Sequence, residues 1–280
     1  MMPILPLRRV DVPAAATALR DAWLADLDQR LRAPGADWNA VVRDTLFELA
    51  YPGQGRWDER ANDASSPLAT RAAVAACDPR NVTLEPEYYG EVDPARFARV
   101  KPILWLWYSF DRLPCGGQNV DLGVEFRRVL APHVFARVGK NFKCFQHVEF
   151  SFGYQLEVGD DVVVHRHVLL DDRGGITLGN RVSISDYANI YSHTHSIVDQ
   201  KDVTSLRTVL EDDVRITYHA TVLAGVRVGR NGMVGASALA TKDVRPYHVH
   251  VGIPAKSIRV KPNAPPEVFM THRDPDRPRP

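Results

Sequence analysis

Apolar side chains in the first third of the chain recur at helical spacing. Five of them within residues 13–31 recur at the spacing of one helical face, which predicts an amphipathic helix that begins at Pro13: Leu19, Trp23, Leu24, Leu27 and Leu31. The same pattern predicts a second helix at 37–49 and a short one at 68–76. The segment 51–67, rich in Gly, Ser, Asn and Asp, predicts an exposed loop. We therefore expect residues 1–120 to form an α-helical N-terminal region.

From about residue 120 the helical spacing disappears, and aliphatic residues recur at every sixth position. The longest run is unbroken: Leu210, Ile216, Val222, Val228, Val234 and Ala240. Three shorter runs precede it with the same step: Val138, Cys144 and Phe150; Val158, Val164 and Leu170; Leu178, Ile184 and Ile190. The register slips by two residues between Leu170 and Leu178 and is interrupted again between Ile190 and Leu210.

A six-residue period predicts a prism of stacked coils in which each coil consists of three blocks. Every block holds a short strand and a turn, and its aliphatic residue points into the shared core. No coil can bury its apolar face alone, so several coils must stack. The period does not define the hand of the coil. The pattern thus predicts a mainly β fold, with a parallel β-helix at 121–262 and a Pro-rich tail at 263–280.

Composition and charge exclude several kinds of partner. Apolar residues make up 45% and charged residues 25% of the 280 residues, which is usual for a globular protein. The formal net charge of +1 predicts neither a nucleic-acid partner nor an acidic membrane surface. No apolar run approaches the ~18 residues that a membrane span needs, and none resembles a signal peptide. Three scattered cysteines suggest no disulfide framework, so we expect a cytoplasmic protein.

Three segments resemble the hexapeptide-repeat acyltransferases, and most of all the branch of maltose, galactoside and colanic-acid O-acetyltransferases. They read FGYQLEVGDDVVVHRHVLLDD (152–172), IYSHTHS (190–196) and VGRNGMVGASALATKDVRPYHVHVGIPAKSIR (228–259). The resemblance covers the region from about 138 to 260, a little under half of the chain. It implies a left-handed parallel β-helix, usually a homotrimer, that binds acetyl-CoA in the groove between neighbouring subunits.

The resemblance places the family's catalytic histidine on His195, which follows Thr194. Acetyl transfer from a thioester to a hydroxyl requires removal of the hydroxyl proton, and histidine, with a free pKa of about 6.5, is the usual base at neutral pH. The developing oxyanion needs a donor, which we expect to be a backbone N–H of a neighbouring turn. Since no Cys or Ser lies in a recognisable nucleophile motif, we expect direct transfer without an acyl-enzyme.

Five residues are candidates for binding the acceptor: Asp172, His165, His193, Arg207 and Tyr218. Asp171 is the alternative to Asp172, because the alignment permits a shift of one residue. Arg207 lies on the loop 196–209 that interrupts the repeat, and a solvated surface charge is the other interpretation of it. His193 and His165 either contact the acceptor or have a structural role.

Tyr218 is a candidate because the chain departs from the family pattern nearby. Arg215 stands where the family commonly has a tryptophan that borders the active site, so either Tyr218 or Tyr191 is expected to supply the aromatic wall. This departure leaves the identity of the acceptor open. Transfer to the amine of an amino sugar is open as well, because the same base serves an amine.

For the donor, the resemblance implies five binding residues. Ala236, Thr241 and Lys242 match last-coil positions that contact the pantetheine arm and the phosphates. Lys256 and Arg259 match basic residues near the adenosine phosphates, where cations suit the negative charge of CoA. The expected function is transfer of an acetyl group from acetyl-CoA to a hydroxyl of a saccharide or similar small acceptor.

Two alternative functions remain open from the sequence. The first is a zinc enzyme like the carbonic anhydrases that share the fold, suggested by five histidines: His165, His167, His193, His195 and His219. Such a site needs three ligands that meet at a corner, and the characteristic His-x4-His spacing is missing, so we expect no metal. The second is a non-catalytic trimeric scaffold built on a degenerate β-helix.

Overall fold

The computed structural model describes residues 10–199 and 201–271. The chain divides into a helical unit, which ends at Val134, and a β-helix unit, which begins at Phe135. The short segment Gly90–Val92 groups with the β-helix unit, although the residues on both sides of it group with the helical unit. Of the predicted tail, Pro266–Thr271 forms the last helix, α7, and residues 272–280 lie outside the described residues.

Six α-helices form the helical unit within the described residues. They are α1 (Ala14–Arg32), α2 (Trp38–Ala50), α3 (Trp57–Asn62), α4 (Leu68–Ala75), α5 (Pro94–Phe110) and α6 (Val120–Val134), with short 3-10 helices at Pro79–Asn81 and Glu85–Tyr88. The predicted helices at 13–31, 37–49 and 68–76 are confirmed as α1, α2 and α4. Asp37 caps α2 by accepting a hydrogen bond from the N–H of Asn39.

Two parts of the chain differ from the prediction. The expected loop at 51–67 contains α3, whose first turn carries Asp58 and Glu59, the charges that a helix N-terminus favours. Residues 121–134, assigned from the sequence to the β-helix, form α6. Its buried residues do recur at helical spacing, but a buried Arg127 and a glycine stand among them and hide the apolar pattern: Gly123, Val124, Phe126, Arg127, Leu130, Ala131 and Val134.

An aromatic run, Trp105 to Phe110, lies in α5 and forms part of the helical unit's core. Phe110 stacks on Phe126 with ring centroids 3.9 Å apart, and Trp107 is fully buried. Arg127 forms a buried ion pair with Asp111 in the same core. A buried charge needs such a partner, since an unpaired one is strongly destabilising.

Three sheets of short parallel strands form the β-helix. Face A consists of β1 (Arg137–Val138), β4 (Leu156–Val158), β7 (Ile176–Leu178), β12 (Thr208–Leu210) and β15 (Arg227–Val228). Face B consists of β2 (Lys143–Cys144), β5 (Val163–Val164), β8 (Ser183–Ile184), β13 (Arg215–Ile216), β16 (Met233–Val234), β18 (His248–Val251) and β19 (Lys256–Val260), the last one antiparallel. Face C consists of β3 (Glu149–Phe150), β6 (Leu169–Asp171), β9 (Asn189–Tyr191), β14 (Thr221–Val222) and β17 (Leu239–Ala240). A hairpin of β10 (His193–His195) and β11 (Val203–Ser205) leaves this prism.

The six-residue repeat is the core of the β-helix. Every predicted repeat position is buried except Val138, which is half-buried at the first coil. The strands stack these positions in register, for example Ile184 opposite Ile216 and Ile216 opposite Val234. The predicted fold, a left-handed parallel β-helix after a helical region, is confirmed, and the β-helix has about six coils.

The three corners of the prism differ in length. At corner C–A, where the chain passes from face C to face A, two residues are added after Phe150 and after Leu170, which explains the slip in the repeat. The hairpin occupies the same corner one coil later, between β9 and β12. Corner C–A therefore carries the irregular part of the sequence, and the corners B–C and A–B keep the regular period.

Candidate active site

The histidine pair lies on the hairpin at corner C–A. In this hairpin β10 runs antiparallel to β11, with Thr194 opposite Thr204 and His195 opposite Val203. The strands on either side, β9 and β12, stay in register with the coils that flank them. The insertion thus projects from the corner and leaves the prism undisturbed.

Ser192 fastens the base of the hairpin to the coil next to it. This side chain is fully buried, and its hydroxyl donates to the backbone carbonyl of Asp171 at 2.5 Å. The same oxygen accepts a hydrogen bond from the N–H of Gly174 at 2.8 Å. The carbonyl of Ser192 accepts from the N–H of Leu206 at 2.8 Å, where the chain returns from the hairpin. The residue before the histidines therefore determines where β10 leaves the β-helix.

His193 is half-buried between a carboxylate and a guanidinium. Its Nδ1 lies against Oδ2 of Asp171, whose other carboxylate oxygen accepts from the hydroxyl of Ser151 at 2.7 Å. Its Nε2 lies 3.0 Å from Nη1 of Arg173. Arg173 is itself buried and forms an ion pair with Glu91. His193 thus belongs to a connected polar network rather than to the open surface.

His195 is exposed and packs edge-to-face against His193. The ring centroids lie 5.2 Å apart and the planes meet at 84°. Residues two apart on a strand point to the same side, which brings both rings to one side of β10. The hairpin therefore presents one accessible imidazole, His195, with a second and less accessible imidazole behind it.

Asp172 points into the protein. It is fully buried, and its carboxylate accepts hydrogen bonds from the N–H groups of Phe152 at 2.7 Å, Gly153 at 3.0 Å and Gln155 at 3.0 Å. Burial raises the pKa of Asp172 to about 6, although the backbone N–H groups act in the opposite direction. Asp172 thus holds the previous coil's corner, and the residue that contacts the histidine pair is Asp171.

Arg207 lies where the hairpin rejoins the prism, and its guanidinium extends along face A. Nη1 donates to Glu157 at 3.0 Å and to the hydroxyl of Thr177 at 2.9 Å. The guanidinium covers Gly175, where an added Cβ would come within 2.8 Å of Nη2. These contacts hold the Arg207 side chain along the sheet, so the geometry favours a structural role for it.

Three other predicted residues lie at corner B–C, away from the histidine pair within this chain. His165 stacks on Phe145 with ring centroids 4.9 Å apart, and burial lowers its pKa. Tyr218 is 48% exposed and packs edge-on against His219 at 4.2 Å. Ala236 lies one coil further on at the same corner and is exposed. One chain therefore does not bring the predicted acceptor residues together.

A column of stacked rings stabilises corner B–C. His147, His167, Tyr187 and His219 succeed one another at 4.8, 4.8 and 4.9 Å between centroids. All four have positive φ, between 57° and 60°, as the tight corner demands. The sequence analysis did not identify this column, although the 20-residue spacing of its first three members, the length of one coil, is a usable signal.

The predicted donor residues are all exposed. Thr241 and Lys242 follow β17 at corner C–A, on the last turn of the prism. Lys256 and Arg259 lie on β19, opposite Val251 and Val249 of β18. In the described part of the chain, none of the three cations forms an ion pair with a carboxylate. Their charges are therefore available to phosphate groups.

The five histidines considered as zinc ligands are distributed over two corners. His165, His167 and His219 lie at corner B–C, and His193 and His195 lie at corner C–A. Within residues 10–199 and 201–271, no group of three or more His, Cys, Asp or Glu side chains is placed to hold a metal ion. Over the same residues, no helix has both the length and the apolar character needed to cross a bilayer.

Sequence reasoning missed the residues that surround His193. Arg173 lies in the two-residue extension after Leu170, and Glu91 lies 82 positions before it. Neither matches a family motif that the chain contains. The signal available in the sequence was the two-residue slip of the repeat after Leu170. It places an irregular corner next to the candidate base, where residues outside the repeat can contact the histidines.

Comparison with known proteins shows which acetyltransferases this chain resembles. The chain is 29% identical over 140 residues to galactoside O-acetyltransferase of Escherichia coli (strain K12), a match that covers 49% of this chain and 69% of the relative. The resemblance to the hexapeptide-repeat acyltransferases is confirmed. No protein-family model matches the chain.

Solved structures of such acetyltransferases share the fold. A maltose O-acetyltransferase from Clostridium difficile 630 superposes with a TM-score of 0.54 and 22% identity, over 62% of this chain and 91% of the other. A hexapeptide-repeat acetyltransferase from Vibrio cholerae O1 biovar eltor, solved with acetyl coenzyme A, gives a TM-score of 0.53 and 22% identity, over 65% of this chain and 98% of the other. At these identities the likeness extends to the fold and no further.

Proposed function

We propose that this protein transfers an acetyl group from acetyl-CoA to a hydroxyl of a saccharide or similar small acceptor, with His195 as the general base. Its relatives support an acetyltransferase that uses acetyl-CoA, whereas the acceptor and the base are our inference. The observation that carries the inference is the exposed imidazole of His195, supported by His193 on a hairpin fastened at both ends to the β-helix.

The reaction needs one base and no covalent intermediate. Neutral His195 takes the acceptor's hydroxyl proton as that oxygen attacks the thioester carbonyl carbon. The C–S bond then breaks, and the departing CoA sulfur takes the proton from the imidazolium. An imidazole can both accept this proton as a general base and return it as a general acid. The exposure of His195 leaves room for both substrates to approach it.

The donor is expected to bind through exposed groups at the end of the β-helix. Lys242, Lys256 and Arg259 are cations without a carboxylate partner in the described part of the chain, which suits the phosphates of CoA. Ala236 and Thr241 are exposed as well, and small side chains suit contact with the pantetheine arm. These assignments follow from the family motif.

A homotrimer accounts for the separation of the predicted residues. His195 lies at corner C–A and Tyr218 at corner B–C, so one chain cannot place both at one site. In a trimer, corner C–A of one subunit can face corner B–C of its neighbour, which unites the base with His165 and Tyr218. Sedimentation equilibrium tests this step, and a monomer that retains full turnover would contradict it.

Calorimetric titration with acetyl-CoA tests the donor site. A variant with Lys242→Ala and Arg259→Ala should bind about tenfold more weakly, because exposed ion pairs contribute about 0.2–1 kcal/mol each. Lys140→Ala removes an equally exposed cation at corner A–B and is the matched control. Failure of the folded wild type to bind would remove the transferase function and leave the scaffold.

Steady-state kinetics with a panel of sugar hydroxyl acceptors tests the base. His195→Gln should bind acetyl-CoA like the wild type and lose about 10²- to 10⁴-fold in kcat, the usual contribution of a general base. Thr194→Ser, a change of the exposed neighbour on the same strand, is the control for disturbance of the hairpin. A variant with Gln at 195 that turns over at the wild-type rate would exclude His195 as the base.

A further inference from the structure

Arg173 is a buried cation that the reaction, as derived so far, does not use. It is 8% exposed, forms an ion pair with Glu91 and approaches Nε2 of His193 to 3.0 Å. Its own backbone carbonyl accepts a hydrogen bond from the side chain of Gln155 at 2.7 Å. Glu91 belongs to Gly90–Val92, the short segment that groups with the β-helix unit. Contacts at both its backbone and its guanidinium thus hold this buried arginine in one position, which suits it to a specific contact.

The contacts of His193 determine which of its nitrogens carries the proton. A guanidinium has donors only and stays protonated in proteins, so Nε2 next to Arg173 must be the acceptor. Nδ1 lies against a carboxylate oxygen of Asp171, which is an acceptor, so Nδ1 carries the proton. Around His193 the charged or titratable groups are Asp171, Arg173 with Glu91 behind it, and His195. These contacts favour the neutral imidazole with its proton on Nδ1, because a second proton on Nε2 would point at the guanidinium of Arg173.

We propose that Arg173, held by Glu91, is a positioning residue: it locks His193 as the neutral Nδ1–H tautomer and so fixes the ring against which His195 packs. The proposal rests on His195 being the base. Glu91 neutralises the guanidinium, so the lock adds no net positive charge beside an imidazole that must accept a proton. A positively charged His193 next to His195 would disfavour transfer of the acceptor's proton to His195, because like charges repel each other.

Nitrogen NMR of the full-length protein with ¹⁵N-labelled histidine tests the lock directly. The His193 signal, assigned by its loss in His193→Asn, should show a protonated Nδ1 and a bare Nε2. In Arg173→Met, a side chain of similar length without donors, the ring should no longer be held in this tautomer and should populate the other one. A wild-type His193 that carries its proton on Nε2 would overturn the proposal.

Kinetics and a conservative variant separate positioning from a merely structural role. Arg173→Met should lower kcat by about ten- to a hundredfold at unchanged KM for acetyl-CoA, since misplacing a catalytic group by about 1 Å has effects of this size. Arg173→Lys keeps a cationic donor and should recover part of both the rate and the tautomer. Equal kcat in all three proteins would also refute the role.

Glu91→Gln provides a second, milder test if Arg173→Met does not fold. It keeps an acceptor for the guanidinium but removes the neutralising charge, so the net positive charge left beside the histidine pair disfavours protonation of the base, and the acidic limb of the pH profile of kcat/KM should shift to lower pH. An unchanged profile would contradict the proposed part of Glu91. The tautomer readout is independent of turnover. If the lock is observed while His195→Gln remains fully active, the assignment of the base fails and the lock stands.

Discussion

Replacing Asp172 by alanine tests how corner C–A is held together. The carboxylate accepts three backbone hydrogen bonds, two at Oδ1 from Phe152 and Gly153 and one at Oδ2 from Gln155. All of these donors belong to the coil next to Asp172, so the side chain joins two coils at the point where each carries two extra residues. Alanine removes the acceptor and supplies nothing in its place.

The expected loss of stability is about 2–4 kcal/mol. Phe152 and Gly153 are buried, and a buried N–H without a partner costs about 1–3 kcal/mol. The half-buried N–H of Gln155 can turn to water and adds less. Part of the loss is offset, because the variant no longer buries a carboxylate. Burial is unfavourable for this charge and raises the pKa of Asp172 to about 6. Since the free energy of unfolding of folded proteins is about 5–15 kcal/mol, a change of this size is readily measured.

Asp172→Asn is the matched control, and it also makes the pH dependence visible. The amide oxygen keeps two bonds, but the amide nitrogen then faces the N–H of Gln155, so we expect a smaller loss of about 1–2 kcal/mol. The carboxyl pKa rises from 3.8 unfolded to about 6 folded, so the folded state binds more protons between these values. The pH-dependent part of the contribution of Asp172 is therefore largest below about pH 4 and is lost as the pH rises through about 6. The advantage of the wild type over the asparagine variant should shrink over that interval.

Urea unfolding followed by two probes is the assay. All five tryptophans lie in the helical unit, at positions 23, 38, 57, 105 and 107, so their fluorescence reports that unit. Circular dichroism also reports the β-helix. The alanine variant should unfold at lower urea by circular dichroism. An alanine variant as stable as the wild type but with a raised KM for the acceptor would refute the reasoning and return Asp172 to the acceptor site.

Three further predictions concern single contacts. Ser192→Ala should lower the free energy of unfolding by about 1–3 kcal/mol, because the N–H of Gly174 and the carbonyl of Asp171 lose their shared partner; Ser192→Thr is the control, and an unchanged urea midpoint for the alanine variant would contradict the anchor. Gly175→Ala should destabilise by about 1–3 kcal/mol, since φ is +89° and the new Cβ would press on the guanidinium of Arg207; a melting temperature equal to the wild type would count against this strain. Cys77 should resist iodoacetamide at about pH 8 until the protein unfolds, because burial raises the pKa of its thiol to about 11; rapid labelling of the folded protein, read by mass spectrometry, would show that this interior opens.

The sequence by itself determined the architecture of the second half. A block of six residues with a strand and a turn returns the same position to the interior in every block. An aliphatic residue at every sixth position therefore specifies the core, whichever residues occupy the five positions between two repeat positions. Leu210 to Ala240 and the three shorter runs define all three faces in this way. Helices α1, α2 and α4 were predictable for the same reason, since their apolar residues follow a local period.

The sequence could not locate residues whose position depends on breaks in a period. Helix α6 contains a buried arginine whose partner, Asp111, lies 16 positions away, and no local pattern announces that pair. At corner C–A, two extra residues remove the alternation that separates inside from outside. Asp171 and Asp172 are then equivalent in the sequence. The structure turns one toward His193 and the other into the core.

The surroundings of the histidine pair were decided by tertiary structure alone. His193 takes one partner from the coil 20 residues earlier, and that partner is held by Glu91, another 82 residues earlier. Contacts at such separations are set by how coils stack and where segments return. The motif IYSHTHS could point to His195 because the family resemblance is local. Which groups determine the proton positions around it is a property of packing, and only the folded chain defines it.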